Sequence, residues 1–283
     1  MEPQRFPKTV TLGYSPCPND TFIFYALVHR KIDTGDLRFR EMLLDVETLN
    51  QKALHSELNM TKVSFHAYAY LRDRYVLLRS GGALGRGCGP LIVAKNNLKK
   101  DSLKGKRIAI PGKLTTAYLL LQLYEPLLAG NVEVMPFDSI MDAVRTGTVD
   151  AGLIIHESRF TYPEYGLSGI LDLGKWWEDE TGLPIPLGCI IAEKSLGPDL
   201  IATIEVLVRR SVEYAFAHRD NTKEYIKVHS QELADSVIEQ HINLYVNNYS
   251  LDLGDDGLRA VGELLKRAEQ GRILRGSNNA VVR

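Results

Sequence analysis

The sequence predicts an α/β fold in two lobes with a ligand cleft between them. Three observations carry that expectation. Short β-type apolar runs alternate with helical stretches, the pattern of strands joined by crossover helices, and the strands are read as parallel. The chain has 283 residues, 45% hydrophobic and 24% charged, which is ordinary globular composition and enough for one large or two medium domains. Two apolar segments, at 90–95 and 188–194, stand where a chain would cross between lobes and return. The expected division is residues 1–94 with 193–283 as one lobe and 95–192 as the other. A single continuous doubly wound sheet is the alternative. The cleft between lobes is the default ligand site.

The elements follow in order. A first strand covers 9–14, Pro16 and Pro18 break it, and a helix spans 21–29. A second strand at 37–44 precedes a short amphipathic helix at 46–54. The third strand, 61–65, runs into a helix at 67–72, and a fourth strand covers 75–78. The glycine-rich stretch 81–89 leads to the crossing strand 91–94. Residues 96–106 are polar and turn-rich. A second βα series then gives strands at 107–111, 132–136 and 151–155, with helices at 115–128 and 139–146. An apolar run at 188–192 precedes a long amphipathic helix at 200–217. The remainder to about 267 is helical, with polar breaks at Asp220 and Gly254.

Several function classes are disfavoured. Basic and acidic residues number 34 and 35, for a net charge of -1, and the Lys95 to Lys106 stretch reads as a solvated turn, so no nucleic-acid partner is expected. Cys17, Cys88 and Cys189 are far apart and form no C-x-x-C pair. That argues against a zinc site or a disulfide framework and favours a reduced, cytoplasmic setting. The start, MEPQRFPK, lacks the apolar core of a secretory leader, and no run of 18 apolar residues predicts a membrane span. Glycines 81–89 lack G-x-G-x-x-G spacing, and no Walker A, G-x-S-x-G or H-E-x-x-H sequence occurs. No metal or redox cofactor is expected. Nothing in the sequence sets an oligomeric state.

In open parallel sheets the ligand lies beyond the carboxyl ends of the strands. Those ends carry Asn19 and Asp20 after the first strand, Lys62-Val63-Ser64 at the third, Thr115-Thr116-Ala117 at a helix start, and His156 after the run 151–155. Helix starts offer free N–H groups and the positive end of the macrodipole to anions. Simple N-capping by the hydroxyls is the competing reading, and the two are compatible. His156 suits general-base work, although a strand-end histidine is more often structural. If extension continued past Ile155, Glu157 would face away from the imidazole. The other histidines read as structural or solvated, with His66 kept apart because it follows Ser64 closely.

Six stretches together resemble one family: SPCPNDTFIFYAL (15–27), DVETLN (45–50), LRSGGALGRGCGPL (78–91), TTAY (115–118), GLIIHESRFTYPEYGL (152–167) and DLGKWWEDETGLPIPLG (172–188). The sequence is similar to the 1,4-dihydroxy-6-naphthoate synthase family of the futalosine route to menaquinone. The resemblance implies a fold like that of type II periplasmic binding proteins. It implies a lyase that converts cyclic dehypoxanthine futalosine, an anionic, sugar-derived small molecule, to 1,4-dihydroxy-6-naphthoate. It implies His156 as proton acceptor, with Lys62, Val63, Ser64, Thr115, Thr116 and Ala117 as substrate contacts. His66 departs from the pattern, where a small residue is expected, and stands as a cleft-wall variant or a second polar contact. The rival readings are the chorismate dehydratase of the same pathway, a non-catalytic solute-binding protein, and a ligand-sensing regulator domain.

Overall fold

The computed structural model describes residues 8–95, 98–230 and 234–274. Residues 1–7, on which the leader expectation rests, and positions 96 and 97 of the polar turn lie outside the described residues. The chain opens with β1 (Lys8–Tyr14), α1 (Pro18–Val28), β2 (Leu37–Leu43), α2 (Val46–Leu54), β3 (Met60–Ser64), α3 (Phe65–Tyr68), β4 (Tyr75–Leu77) and β5 (Ala83–Gly85). A second run gives β6 (Leu91–Ala94), β7 (Ile108–Ile110), α4 (Thr116–Tyr124), β8 (Val132–Val134), α5 (Ile140–Thr146), β9 (Ala151–Ile154), α6 (Ser158–Thr161), β10 (Ser168–Asp172) and α7 (Leu173–Thr181). The long strand β11 (Ile185–Glu193) leads to α8 (Pro198–Ala217), α9 (Arg219–His229), α10 (Asp235–Tyr245), α11 (Asn248–Leu251) and α12 (Gly254–Gln270).

Two sheets result, ordered β2-β1-β3-β11-β4 with β5 also on β11, and β10-β6-β9-β7-β8. β1 is parallel to β2 and β3, and β7 is parallel to β8 and β9. β11 is antiparallel to β3, β4 and β5, and β6 is antiparallel to β9 and β10. Parallel pairing is therefore confined to the βα units. A strand returning from elsewhere in the chain enters its sheet from the opposite direction. Sheet membership also changes earlier than 94 and 192, since β6 lies in the second sheet and β11 in the first.

Local chemistry explains the element boundaries. Pro18 opens α1 rather than ending the turn, because a first helical residue needs no N–H. Asp45 caps α2, accepting from the N–H groups of Glu47 and Thr48 at 3.0 Å each. α4 stops at Tyr124, short of the expected 128, because Glu125 is extended ahead of Pro126. Asp172 caps α7, accepting from Lys175 N at 2.9 Å. Trp177 of α7 is buried and donates to the Pro184 carbonyl at 3.0 Å. α8 buries Ile204, Leu207, Val208, Ser211, Val212 and Ala215, a 3.6-residue stripe, against α1. α1 is buried along most of its length, and Ser211 Oγ donates to the Ile23 carbonyl at 2.6 Å. Among the described residues no helix is long and apolar enough to cross a membrane.

Candidate active site

The ends of β1, β3 and β9 and the start of α4 converge on one cleft. It is concave and lined mostly by apolar atoms with a few polar groups among them, the usual character of a small-molecule site. Asn19, Lys62, Val63, Ser64, Thr115, Thr116, Ala117 and His156 all line it. The structure thus brings together the candidate base and every candidate substrate contact, whereas His66 lies elsewhere. Asp20, Cys88 and Tyr245 are also part of the wall.

β9 ends at Ile154, and His156 takes φ = 55°, the left-handed region that costs a non-glycine residue of order 1–3 kcal/mol. Extension therefore does not continue, and the expectation that Glu157 faces away fails. A carboxylate oxygen of Glu157, a ring nitrogen of His156 and Cys17 Sγ lie within 4.8 Å of one another. The His156 ring tilts against Phe137, centroids 5.2 Å apart, and lies parallel to His241 at 6.1 Å. Burial pushes the imidazole down to about 4, with Asp20 pulling it up and Lys62 pushing it further down. At neutral pH the ring is uncharged and can accept a proton.

Lys62 is buried. Its ammonium donates to the Gly81 carbonyl at 2.9 Å and pairs with Asp20 Oδ1 at 3.1 Å. Two of its three donors are engaged, and one remains for a ligand. Asp20 also accepts from Ser15 N at 3.2 Å, Ser15 Oγ at 2.8 Å and Asn19 Nδ2 at 2.8 Å, so its charge is fully solvated by protein. Asn50 holds Ser64 at both ends, accepting from its N–H at 2.9 Å and donating to its Oγ at 3.2 Å. The Ser64 hydroxyl proton is left for the cleft.

Thr115 Oγ1 donates to the Gly112 carbonyl at 2.8 Å and accepts from Tyr118 N at 3.2 Å, a cap. Thr116 Oγ1 donates to the Leu187 carbonyl at 2.6 Å. Both hydroxyls can therefore only accept from a ligand. The donors α4 offers are the first-turn N–H groups of Thr116 and Ala117, which have no partner within the helix. Glu47 of α2 ties this loop to the first sheet, accepting from Leu114 N at 3.3 and 3.2 Å through its two oxygens.

His66 does not line the cleft. It lies behind α4, where Nδ1 donates to the Thr115 carbonyl at 3.3 Å, and burial pushes it down to about 4. His241, read from sequence as structural, is fully buried at the site. Its Nε2 donates to Asn19 Oδ1 at 3.0 Å, across 222 positions of sequence. No local pattern in α10 announces that contact; it arises because α10 packs on α1.

The family model described as menaquinone biosynthesis matches residues 10–270. The chain is similar to the 1,4-dihydroxy-6-naphthoate synthase of Thermus thermophilus, 54% identical over 263 residues, which span 93% of this chain and 94% of that protein. The Streptomyces coelicolor protein of the same name is 46% identical over 264 residues, 92% and 93% of the respective chains. Among solved structures, the Candida albicans CA3427 gene product is described as having the generic periplasmic binding protein fold. It superposes with a TM-score of 0.68 at 15% identity, over 96% of this chain and 92% of that one. The two-sheet α/β architecture is that fold, as expected.

Proposed function

The chain belongs to the menaquinone biosynthesis family and is an enzyme of that pathway acting on a small molecule; from this premise we propose that it converts cyclic dehypoxanthine futalosine to 1,4-dihydroxy-6-naphthoate as a carbon–carbon lyase, with His156 as general base. One observation carries the reading: an uncharged imidazole stands on the cleft wall, fixed by a strained turn, in the same cleft as a buried ammonium and an open helix start. His156 takes a proton from the bound substrate. A carbon–carbon bond then breaks, the small sugar-derived fragment leaves, and aromatisation of the bicyclic product favours the step.

The remaining Lys62 donor, the Ser64 hydroxyl and the N–H groups of Thr116 and Ala117 hold the substrate's carboxylate and sugar hydroxyls. Asn19, braced between Asp20 and His241, offers its second amide hydrogen. Closure of the lobes excludes water from the reacting centre. Three free, buried cysteines support a reducing, cytoplasmic setting.

The test is direct. Purified protein with cyclic dehypoxanthine futalosine, read by mass spectrometry, should yield 1,4-dihydroxy-6-naphthoate, with or without EDTA, while chorismate in parallel should stay unchanged. Conversion of chorismate alone would assign the dehydratase reaction instead. A ligand-induced melting shift without product would make the chain a binding protein.

A further inference from the structure

Two of the cleft's ligand-holding groups come from different sheets. Ser64 ends β3 of the first sheet, and Thr116 and Ala117 open α4 after β7 of the second. The first turn of α2 spans the gap between them. Val46 and Leu49 turn one side of it to the cleft. Glu47 and Asn50, three residues apart, meet on a neighbouring side, where Asn50 Nδ2 donates to Glu47 Oε2 at 3.3 Å. Asn50 is 0% exposed and holds both the N–H and the hydroxyl oxygen of Ser64. Glu47 holds the Leu114 N–H, one residue before the Thr115 cap of α4. Gln51 Nε2 donates to Glu47 Oε1 at 3.3 Å and steadies the carboxylate. Three links thus run in series, Ser64 to Asn50, Asn50 to Glu47 and Glu47 to Leu114. Gly112 makes room for the last of them. A Cβ there would stand 2.4 Å from Glu47 Oε2 and 2.5 Å from its carboxyl carbon, so only glycine permits this approach without displacing the side chain.

We propose that Glu47 is a positioning residue: with Asn50 it forms a strut that sets the start of α4 at a fixed offset from Ser64, so that the two half-sites grip the substrate as one. Glu47 is not part of the cleft lining and acts through Leu114 and Ser64. The reason is orientation. The free N–H groups of a helix start point along its axis, and a serine hydroxyl has one proton to give. Both grips close on one molecule only when the axis is aimed from the right place. A strut built into the free protein sets that aim on folding, so less order is lost when the ligand arrives. His156 stands outside the series. It follows β9 in its own left-handed turn, and none of the three links ends on it. Loss of the strut therefore loosens binding and spares proton transfer. That kinetic consequence rests on the reaction proposed above; the strut does not.

Steady-state kinetics with cyclic dehypoxanthine futalosine test the positioning. Glu47→Ala should raise KM about tenfold, the worth of one charge-assisted hydrogen bond, and leave kcat within about twofold. Glu47→Gln keeps an acceptor for the Leu114 N–H and should bring KM back to within about threefold of the original. Asn50→Ala breaks the series at its other end and should also raise KM. In the double variant the two increases should not multiply, because the same strut is lost only once. Gly112→Ala should raise KM in the unaltered chain and add nothing in Glu47→Ala, where the side chain it displaces is already gone. A fall in kcat with KM unchanged, increases that multiply, or no rescue by Glu47→Gln would overturn the positioning. The same cycle read as melting temperature needs no substrate. The separate losses from Glu47→Ala and Asn50→Ala should sum to more than the loss in the double variant, and additive losses would overturn the strut. If the unaltered chain yields no product, the proposed reaction fails, and the melting cycle alone decides the strut.

Discussion

Acidification should weaken this protein through His66. The ring is 3% exposed, and burial holds it near 4, against an ordinary value of 6.5. The unfolded chain therefore takes up this proton first as pH falls. The contribution is whole above pH 6.5 and drains as pH drops toward 4. In full, the distance from 6.5 to 4 corresponds to about 3 kcal/mol, and between pH 7.5 and 5.0 the accumulated loss is about 2 kcal/mol. His66→Asn removes the titration and keeps an amide donor for the Thr115 carbonyl. Urea unfolding followed by circular dichroism, at both pH values and for both proteins, isolates the effect. The packing cost of the replacement appears at both pH values and cancels. The variant should lose about 2 kcal/mol less than the unaltered chain, roughly 0.7 M in urea midpoint for a slope near 3 kcal/mol per molar. Equal losses in the two proteins would refute the reasoning.

Three more outcomes are expected. His156→Asn should cut turnover by at least about 10²-fold while circular dichroism stays native; near-normal turnover would remove His156 as the base. With EDTA present, kcat/KM should stay level from pH 7.5 to about 5 and fall only toward 4, because the free imidazole protonates there; a decline beginning near 6.5 contradicts the burial argument. Gly89→Ala should lower the melting temperature by several degrees, since a Cβ there would sit 2.2 Å from the Gly174 Cα and overpacking costs about 1–3 kcal/mol. Gly130→Ala, with nothing within 4 Å of the new methyl, is the control and should melt near the original temperature.

The βα units were legible because each is a local pattern, an apolar run of strand length followed by an amphipathic stripe. The strand ends were legible for the same reason, which is why Lys62–Ser64, Thr115–Ala117 and His156 could be named together and fall in one cleft. What sequence hid was non-local or very short. β5 spans three residues of a glycine-rich stretch, too few for any alternation to show. β10 and α7 went unassigned because β10 has no clean two-residue alternation and its partner β6 lies more than seventy positions upstream. The left-handed turn at His156 cannot be inferred from a residue that usually avoids it, and it reverses the argument about Glu157. His241 belongs to the site only through the packing of α10 on α1.

The position of β11 also sets an order of events during synthesis. The first sheet lacks the strand between β3 and β4 until residue 193 has been made, whereas the second sheet draws all its strands from residues 91–172. Ribosomes add about 5–20 residues per second, so β3 waits roughly 6–26 s for its neighbour. During that interval its backbone edge is unpaired, while the later-made lobe already has every strand it needs. The lobe that begins the chain is therefore the last to close, and it is the one that chaperones have reason to guard.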